Sequence, residues 1–149
     1  MGNTKSIGVA YSDQDIDGGT IGATIPATIV GTTVYCTSEI GYTAAAQGTV
    51  TQLTDKSTGV TLNKSAGRIT MNAAALAGNT AVSFTLTNTV VSANDAIIVN
   101  VSGGGTAGAY TVYISSMTTG SAVVTLRNLT GGSLSEAVII NFAIIHGSV

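Results

Sequence analysis

Few side chains in this sequence could support catalysis or hold a metal ion. Among the last hundred residues the carboxylates are Asp55, Asp95 and Glu136, and His146 is the only histidine. General acid–base catalysis needs paired carboxylates or a histidine with a positioned partner, and the spacing of these residues indicates neither. No second histidine or thiol stands at metal-ligand spacing from His146. The sequence therefore predicts a protein that is not an enzyme and has no catalytic residues, cofactor or metal.

A weaker motif lies near the N-terminus. The run Asp13-Gln14-Asp15-Ile16-Asp17-Gly18 places carboxylates at alternate positions and a glycine sixth, as at the start of a calcium-binding EF-hand loop. The bidentate glutamate required at the twelfth position is replaced by Thr24. We expect a solvated acidic turn or a polar contact to a partner, and calcium binding by these aspartates stays an open alternative.

Three further features are explained by ordinary structural roles. Gly103-Gly104-Gly105 lacks the lysine and hydroxyl residue of a phosphate-binding loop, so it indicates a hairpin connection. Tyr110 and Tyr113 lie on opposite faces of one predicted strand and are candidates for an aromatic platform that binds sugar, although core packing is the expected role of Tyr110. Cys36 is the only cysteine, which excludes an intrachain disulfide.

The composition points to an all-β protein. Only 8% of the residues are charged, against about a quarter in typical globular proteins. The abundance of Thr, Val, Ile, Ser and Gly favours short strands joined by tight turns. So few charges cannot cover the apolar surface of a monomer, which predicts an oligomer. The net charge of −2 gives no footprint for nucleic acid, and no apolar run reaches the roughly 20 residues needed to span a membrane.

Alternating apolar and polar residues predict eight strands in the second part of the chain. Val82, Phe84 and Leu86, for example, alternate with hydroxyl residues. The predicted strands cover residues 49–54, 59–62, 68–71, 80–88, 96–102, 109–116, 122–128 and 137–145. Eight short strands with turn residues between them suit a jelly-roll-like antiparallel β-sandwich. A helical turn is also expected at residues 72–77.

The last strand, at residues 137–145, is apolar at nearly every position, as in a strand buried on both faces in the middle of a sheet. A competing interpretation is a helix, because Ser133-Leu134-Ser135-Glu136 spells a capping box. The isoleucines and Val138 that follow are poor helix formers and good strand formers, which favours the strand.

Residues 1–48 are expected to form an extended N-terminal arm and linker, and residues 49–149 the β-sandwich domain. The arm holds the only proline, and its apolar pieces are too short to form a core. An extended arm can add as a strand to the sheets of another protein, with alternate side chains filling pockets. The arm residues predicted to bind a partner are Ile7, Val9, Tyr11, Ile16, Ile21, Ile25 and Pro26.

Three stretches carry a resemblance to a known group of proteins. The segment Asp17-Gly18-Gly19-Thr20-Ile21-Gly22 resembles a peptide that recurs in bacteriophage structural proteins. The domain from Gly48-Thr49-Val50-Thr51-Gln52 to Gly131-Gly132-Ser133-Leu134-Ser135-Glu136 is similar to small β domains encoded among the capsid genes of tailed phages. The opening Asn3-Thr4-Lys5-Ser6-Ile7-Gly8 also resembles the start of those short proteins, so the likeness covers nearly the whole chain.

The resemblance implies a virion protein, specifically a homotrimeric head decoration or cement protein on the outer surface of the capsid. Its partner would be the major capsid protein, bridged through the N-terminal arm. The same domain type ends some tail fibres, so a short tail-fibre or receptor-binding protein that contacts host surface glycans is the alternative.

Overall fold

The computed structural model describes residues 33–147. The chain divides into two units between Glu39 and Ile40. Of the first unit, residues 33–39 are described; they are exposed and contain no helix or strand. The second unit contains all the strands described below.

Eight strands follow a single turn of 3-10 helix, Ala44–Ala46, within the described residues. This helix lies in the stretch expected to be a linker. The strands match the eight predicted ones, and the largest difference is at the first strand, predicted to end at residue 54 but ending at Thr51. They are β1 Gln47–Thr51, β2 Val60–Thr61, β3 Ala66–Thr70, β4 Ala81–Thr87, β5 Ala96–Gly103, β6 Tyr110–Thr118, β7 Ser121–Asn128 and β8 Ile139–Ile145.

The strands form two four-stranded sheets that pack face to face, which confirms the all-β sandwich. Sheet A has the order β1-β3-β8-β5, and sheet B has the order β2-β4-β7-β6. Four pairings are antiparallel, as expected, but β1 with β3 and β2 with β4 are parallel. A jelly roll is built from antiparallel strands, so the jelly-roll part of the expectation is not confirmed.

Alternation along the strands places one face of each sheet in a shared core. In β4 the buried side chains are Phe84 and Leu86, with exposed hydroxyl residues between them. In β8 they are Ile140, Phe142 and Ile144. The other core residues come from β2, β3, β7 and the connecting loops: Val60, Ile69, Met71, Leu76, Val91, Val124, Leu126 and Val138.

The last strand confirms the strand prediction over the helix. It lies mid-sheet between β3 and β5, as expected. The prediction that β8 is buried on both faces is wrong for the single chain. On its outward face Ile139, Asn141 and Ala143 are only half-buried and Ile145 is exposed. The expected helical turn at residues 72–77 is also wrong, because Leu76 forms an isolated antiparallel bridge with Leu134.

Close approach between β1, β3 and the core requires glycine at Gly67. A Cβ atom there would lie 2.7 Å from Leu62 Cδ2, 2.8 Å from the Gly48 carbonyl oxygen and 2.9 Å from Phe142 Cε1. The Leu62 and Phe142 side chains therefore occupy the space that any larger residue would need.

We expect Gly67→Ala to lower the free energy of unfolding by about 1–3 kcal/mol, the usual cost of overpacking a core. The measurement is urea unfolding followed by circular dichroism. The control is Gly103→Ala, also in a strand of sheet A, where a Cβ meets nothing within 4 Å; its effect should stay within about 0.5 kcal/mol. Equal effects of the two substitutions would contradict the packing argument.

Candidate functional site

Lys56 is buried and ties three loops together. Its side chain is 3% exposed, and Nζ donates hydrogen bonds of 2.5 Å to the carbonyl oxygens of Asn72 and Glu136. Gln52 is buried beside it and donates from Nε2 to the carbonyl oxygens of Lys56 and Thr58. Burial lowers the pKa of Lys56, while the Glu136 charge opposes that shift. The ammonium group is thus used to satisfy backbone carbonyls and is not open to a substrate.

Glu136 holds the loop between β5 and β6. Its carboxylate accepts hydrogen bonds from the Thr106 backbone N–H, at 3.0 and 3.1 Å, and from Thr106 Oγ1 at 2.7 Å. These bonds lower the pKa of Glu136. Burial, reinforced by the nearby Glu136, raises the pKa of Tyr110 to about 12. A carboxylate stabilised in this way is a weak general base, and a phenol held so firmly protonated is a weak nucleophile.

Asp95 and His146 lie together, although 51 residues separate them in sequence. The Asp95 carboxylate accepts hydrogen bonds from Ser92 N and Ser92 Oγ, both at 2.8 Å, and from Gly147 N at 3.0 Å. His146 Nδ1 lies 3.1 Å from Asp95 Oδ2. The Ser92 backbone bond is the main cause that lowers the pKa of Asp95 to about 2. Ser92 bonds the aspartate and not the histidine, so this group does not reproduce a Ser-His-Asp relay.

The outward face of sheet B is covered with hydroxyl groups. Ser83 Oγ lies 2.8 Å from Thr125 Oγ1, which in turn donates to Ser115 Oγ at 2.9 Å. Tyr113 projects from this face and is 46% exposed, whereas Tyr110 points inward and packs against the core. The two tyrosines therefore do not form one platform. The hydroxyl residues of β4, β6 and β7 on this face are Ser83, Thr85, Thr87, Thr111, Ser115, Ser116, Thr118, Ser121 and Thr125.

The outward face of sheet A has a different character. At one end Ile98 pairs with Ala143 and Ala96 pairs with Ile145 across β5 and β8. Ile98 is 56% exposed and Ile145 is 58% exposed. Further along the same face, Asn100 pairs with Asn141, whose other neighbour is Arg68 of β3. The face is aliphatic at one end and amide-rich at the other, and its strands contribute no acidic residue.

An apolar groove adjoins the aliphatic end of sheet A. The Tyr42 hydroxyl donates a hydrogen bond to the Ile144 carbonyl oxygen, which fixes the chain before the 3-10 helix against β8. Between them lies a groove of about 490 Å³, lined by Ile40, Gly41, Tyr42, Ala143, Ile144, Ile145 and His146. Ile40 at its rim is 85% exposed. Ile98 stands beside this groove, because its cross-strand neighbour Ala143 forms part of the lining.

The predicted arm residues Ile7, Val9, Tyr11, Ile16, Ile21, Ile25 and Pro26 lie outside the described residues, as do Asp13, Asp15 and Asp17. Cys36 is exposed. Residues 33–147 contain no cluster of three or more side chains suited to a metal ion. Over the same residues no helix has the length and apolar character needed to cross a bilayer.

Comparison of the chain with protein-family models, with curated proteins and with solved structures gave no match.

Lys56→Met should lower the free energy of unfolding by about 1–3 kcal/mol, because two part-buried carbonyl groups lose their donor while the side-chain volume is nearly kept. The control is Lys64→Met, since Lys64 donates one exposed bond to Ala45 O and its loss should cost little. Thermal and urea unfolding of both variants provides the measurement. A Lys56→Met variant as stable as the parent would overturn the structural role assigned to the ammonium group.

The lowered pKa of Asp95 predicts that the folded chain loses stability in acid. Its pKa is about 2 in the folded chain and 3.8 ordinarily, so its contribution is complete above pH 3.8 and disappears as the pH falls towards 2. The stability difference between the parent and Asp95→Asn should therefore be largest near neutral pH and shrink below pH 3.8. The control is Glu39→Gln, because Glu39 is exposed in a segment without helix or strand and its substitution should leave the stability of the parent unchanged. A stability difference between the parent and Asp95→Asn that does not change with pH would contradict the stabilising role of the Asp95 carboxylate.

Proposed function

We propose that this chain is a non-enzymatic structural protein of a tailed-bacteriophage virion. In this proposal it decorates the outer surface of the head as a homotrimer and bridges neighbouring copies of the major capsid protein. The likeness of the sequence to short proteins encoded beside capsid genes suggests the setting, and the exposed surfaces of the chain support an interaction role.

The observation that carries the proposal is the exposure of apolar residues ahead of the sandwich. Residues 33–43 contain no helix or strand and are exposed throughout. Tyr35 is 91% exposed and Ile40 is 85% exposed, and Val34 is also in the open. Segments of this kind bind by laying an extended backbone and alternate side chains on another protein.

Bridging explains how such a protein would stabilise a shell. A subunit that holds two capsid proteins together prevents either from leaving alone. With three copies in one assembly, each arm binds at high effective concentration once the first arm is bound, so attachment can exceed that of one arm by about two to four orders of magnitude. The low charge of the chain fits contacts made by backbone and apolar groups.

A non-enzymatic role agrees with the use of the titratable residues. Lys56, Asp95 and Glu136 each satisfy backbone groups of the fold. The Ser92 and Thr106 hydroxyl groups do bond Asp95 and Glu136, but the lowered pKa values make both carboxylates weak general bases.

The second candidate function is receptor binding by a short tail fibre. It is favoured by Tyr113, an exposed ring surrounded by hydroxyl side chains on sheet B, because aromatic rings stack on sugars while hydroxyl groups bond to their polar edges. In this alternative the sandwich would contact host surface glycans.

Deletion of residues 2–30 should abolish binding of the purified protein to undecorated capsids while leaving the sandwich folded. The control is Tyr113→Ala, which should bind capsids as the parent does. Binding is measured by co-sedimentation, and quantitative mass spectrometry of virions gives the copy number relative to the major capsid protein, expected near one to one.

Retained capsid binding by the deletion variant would remove the bridging role from the arm. A handful of copies per particle, together with binding to host cells that Tyr113→Ala loses, would replace the first candidate with the second. Absence of the chain from virions would overturn both.

A further inference from the structure

We infer that the outward face of sheet A is the surface through which copies of this chain associate with one another. The inference rests on the proposed function only in expecting an oligomer, and it assigns the contact. Its occupant is a second copy of the same chain.

The two outward faces of the sandwich differ in a way that singles out sheet A. The outward face of sheet B carries mainly hydroxyl side chains, and Tyr113 is the one large apolar side chain exposed there among the strand residues. Sheet A exposes Ile98 and Ile145 from adjacent strands. Aliphatic residues that adjoin on one face while the opposite face stays polar are typical of a protein contact surface.

The aliphatic end of sheet A contains a projecting isoleucine and, beside it, a groove that could receive such a side chain from another copy. Ile98 projects from β5, and the groove between Tyr42 and the end of β8 opens beside it. An isoleucine of one copy can enter the groove of the next, in which case Ala143 and Ile145 form its floor. Such a contact joins two different patches, and it closes into a ring when the rotation between copies allows.

The amide end of sheet A favours a second copy over a different partner. Asn100 and Asn141 lie opposite each other, and Ser102 Oγ donates to Asn141 Oδ1 at 3.0 Å. An amide both donates and accepts, so uncharged polar groups of a second copy can bond with Asn100 and Asn141 in the same head-to-tail contact. Arg68 is the one charged residue in the strands of this face, which leaves little for a strongly charged partner to recognise.

The test compares the mass in solution of the full chain with that of two variants. Light scattering coupled to gel filtration should give the parent a multiple of 14.7 kDa. Ile98→Asp should raise the dissociation constant about 30-fold or more, as loss of an interface hot spot does, and run as a monomer when dilute. The control is Thr85→Asp, at an exposed strand position on sheet B, which should keep the mass of the parent.

Circular dichroism and thermal unfolding confirm that each variant is folded, and Ile98→Ser replaces Ile98→Asp if the charged variant is not. A monomeric parent, or an Ile98 variant with the mass of the parent, overturns the inference. Dissociation by Thr85→Asp alone would move the contact to sheet B and also overturns it. The virion copy number tests the proposed function separately. An oligomeric parent that keeps its mass when Ile98 is changed contradicts only the inference, whereas an oligomer that Ile98→Asp dissociates but that is absent from virions contradicts only the proposed function.

Discussion

Packing of β8 against sheet B is the contact on which the sandwich depends. Ile140, Phe142 and Ile144 point into the core, and the strand pairs with β3 on one side and β5 on the other. Without β8, the β1–β3 pair and β5 would have no hydrogen-bonded connection within sheet A. Burying each of the three side chains is worth about 1.5–3 kcal/mol, so together they outweigh any single polar contact in the chain.

Both ends of β8 are fixed by polar residues of types that serve as catalysts in other proteins. Just before the strand, the Glu136 carbonyl accepts from Lys56 and the Glu136 carboxylate holds Thr106. Just after it, Gly147 donates to Asp95, beside His146. Asp95 and Glu136, whose pKa values are both lowered, thus lie at the two ends of the central strand and bond the loops there. This use leaves the outward faces and the segment ahead of the sandwich as the parts available for function.

Local patterns predicted the strands well, because alternation and turn residues act over a few positions. The order of the strands was not predictable, since it depends on which apolar faces meet, and neither the parallel pairing of β1 with β3 nor that of β2 with β4 has a local signal. The Asp95–His146 contact and the Lys56 bonds to Asn72 and Glu136 join residues far apart in sequence, which a single sequence does not reveal. The half-exposed β8 was misjudged because its outward isoleucines look the same in sequence as its buried ones.

The hydroxyl-covered face of sheet B also affects the hydration of the protein surface. Its exposed hydroxyl groups can bind water without carrying charge, and Arg127 near the end of β7 is the one charged residue in the strands of this face. Dissolved ions weaken repulsion between charged surfaces over a Debye length of about 10 Å at 0.1 M salt, but they do not screen hydrogen bonds in the same way. A particle that displayed many copies of this face would therefore resist clumping through its bound water, and that protection would change little between dilute media and concentrated salt.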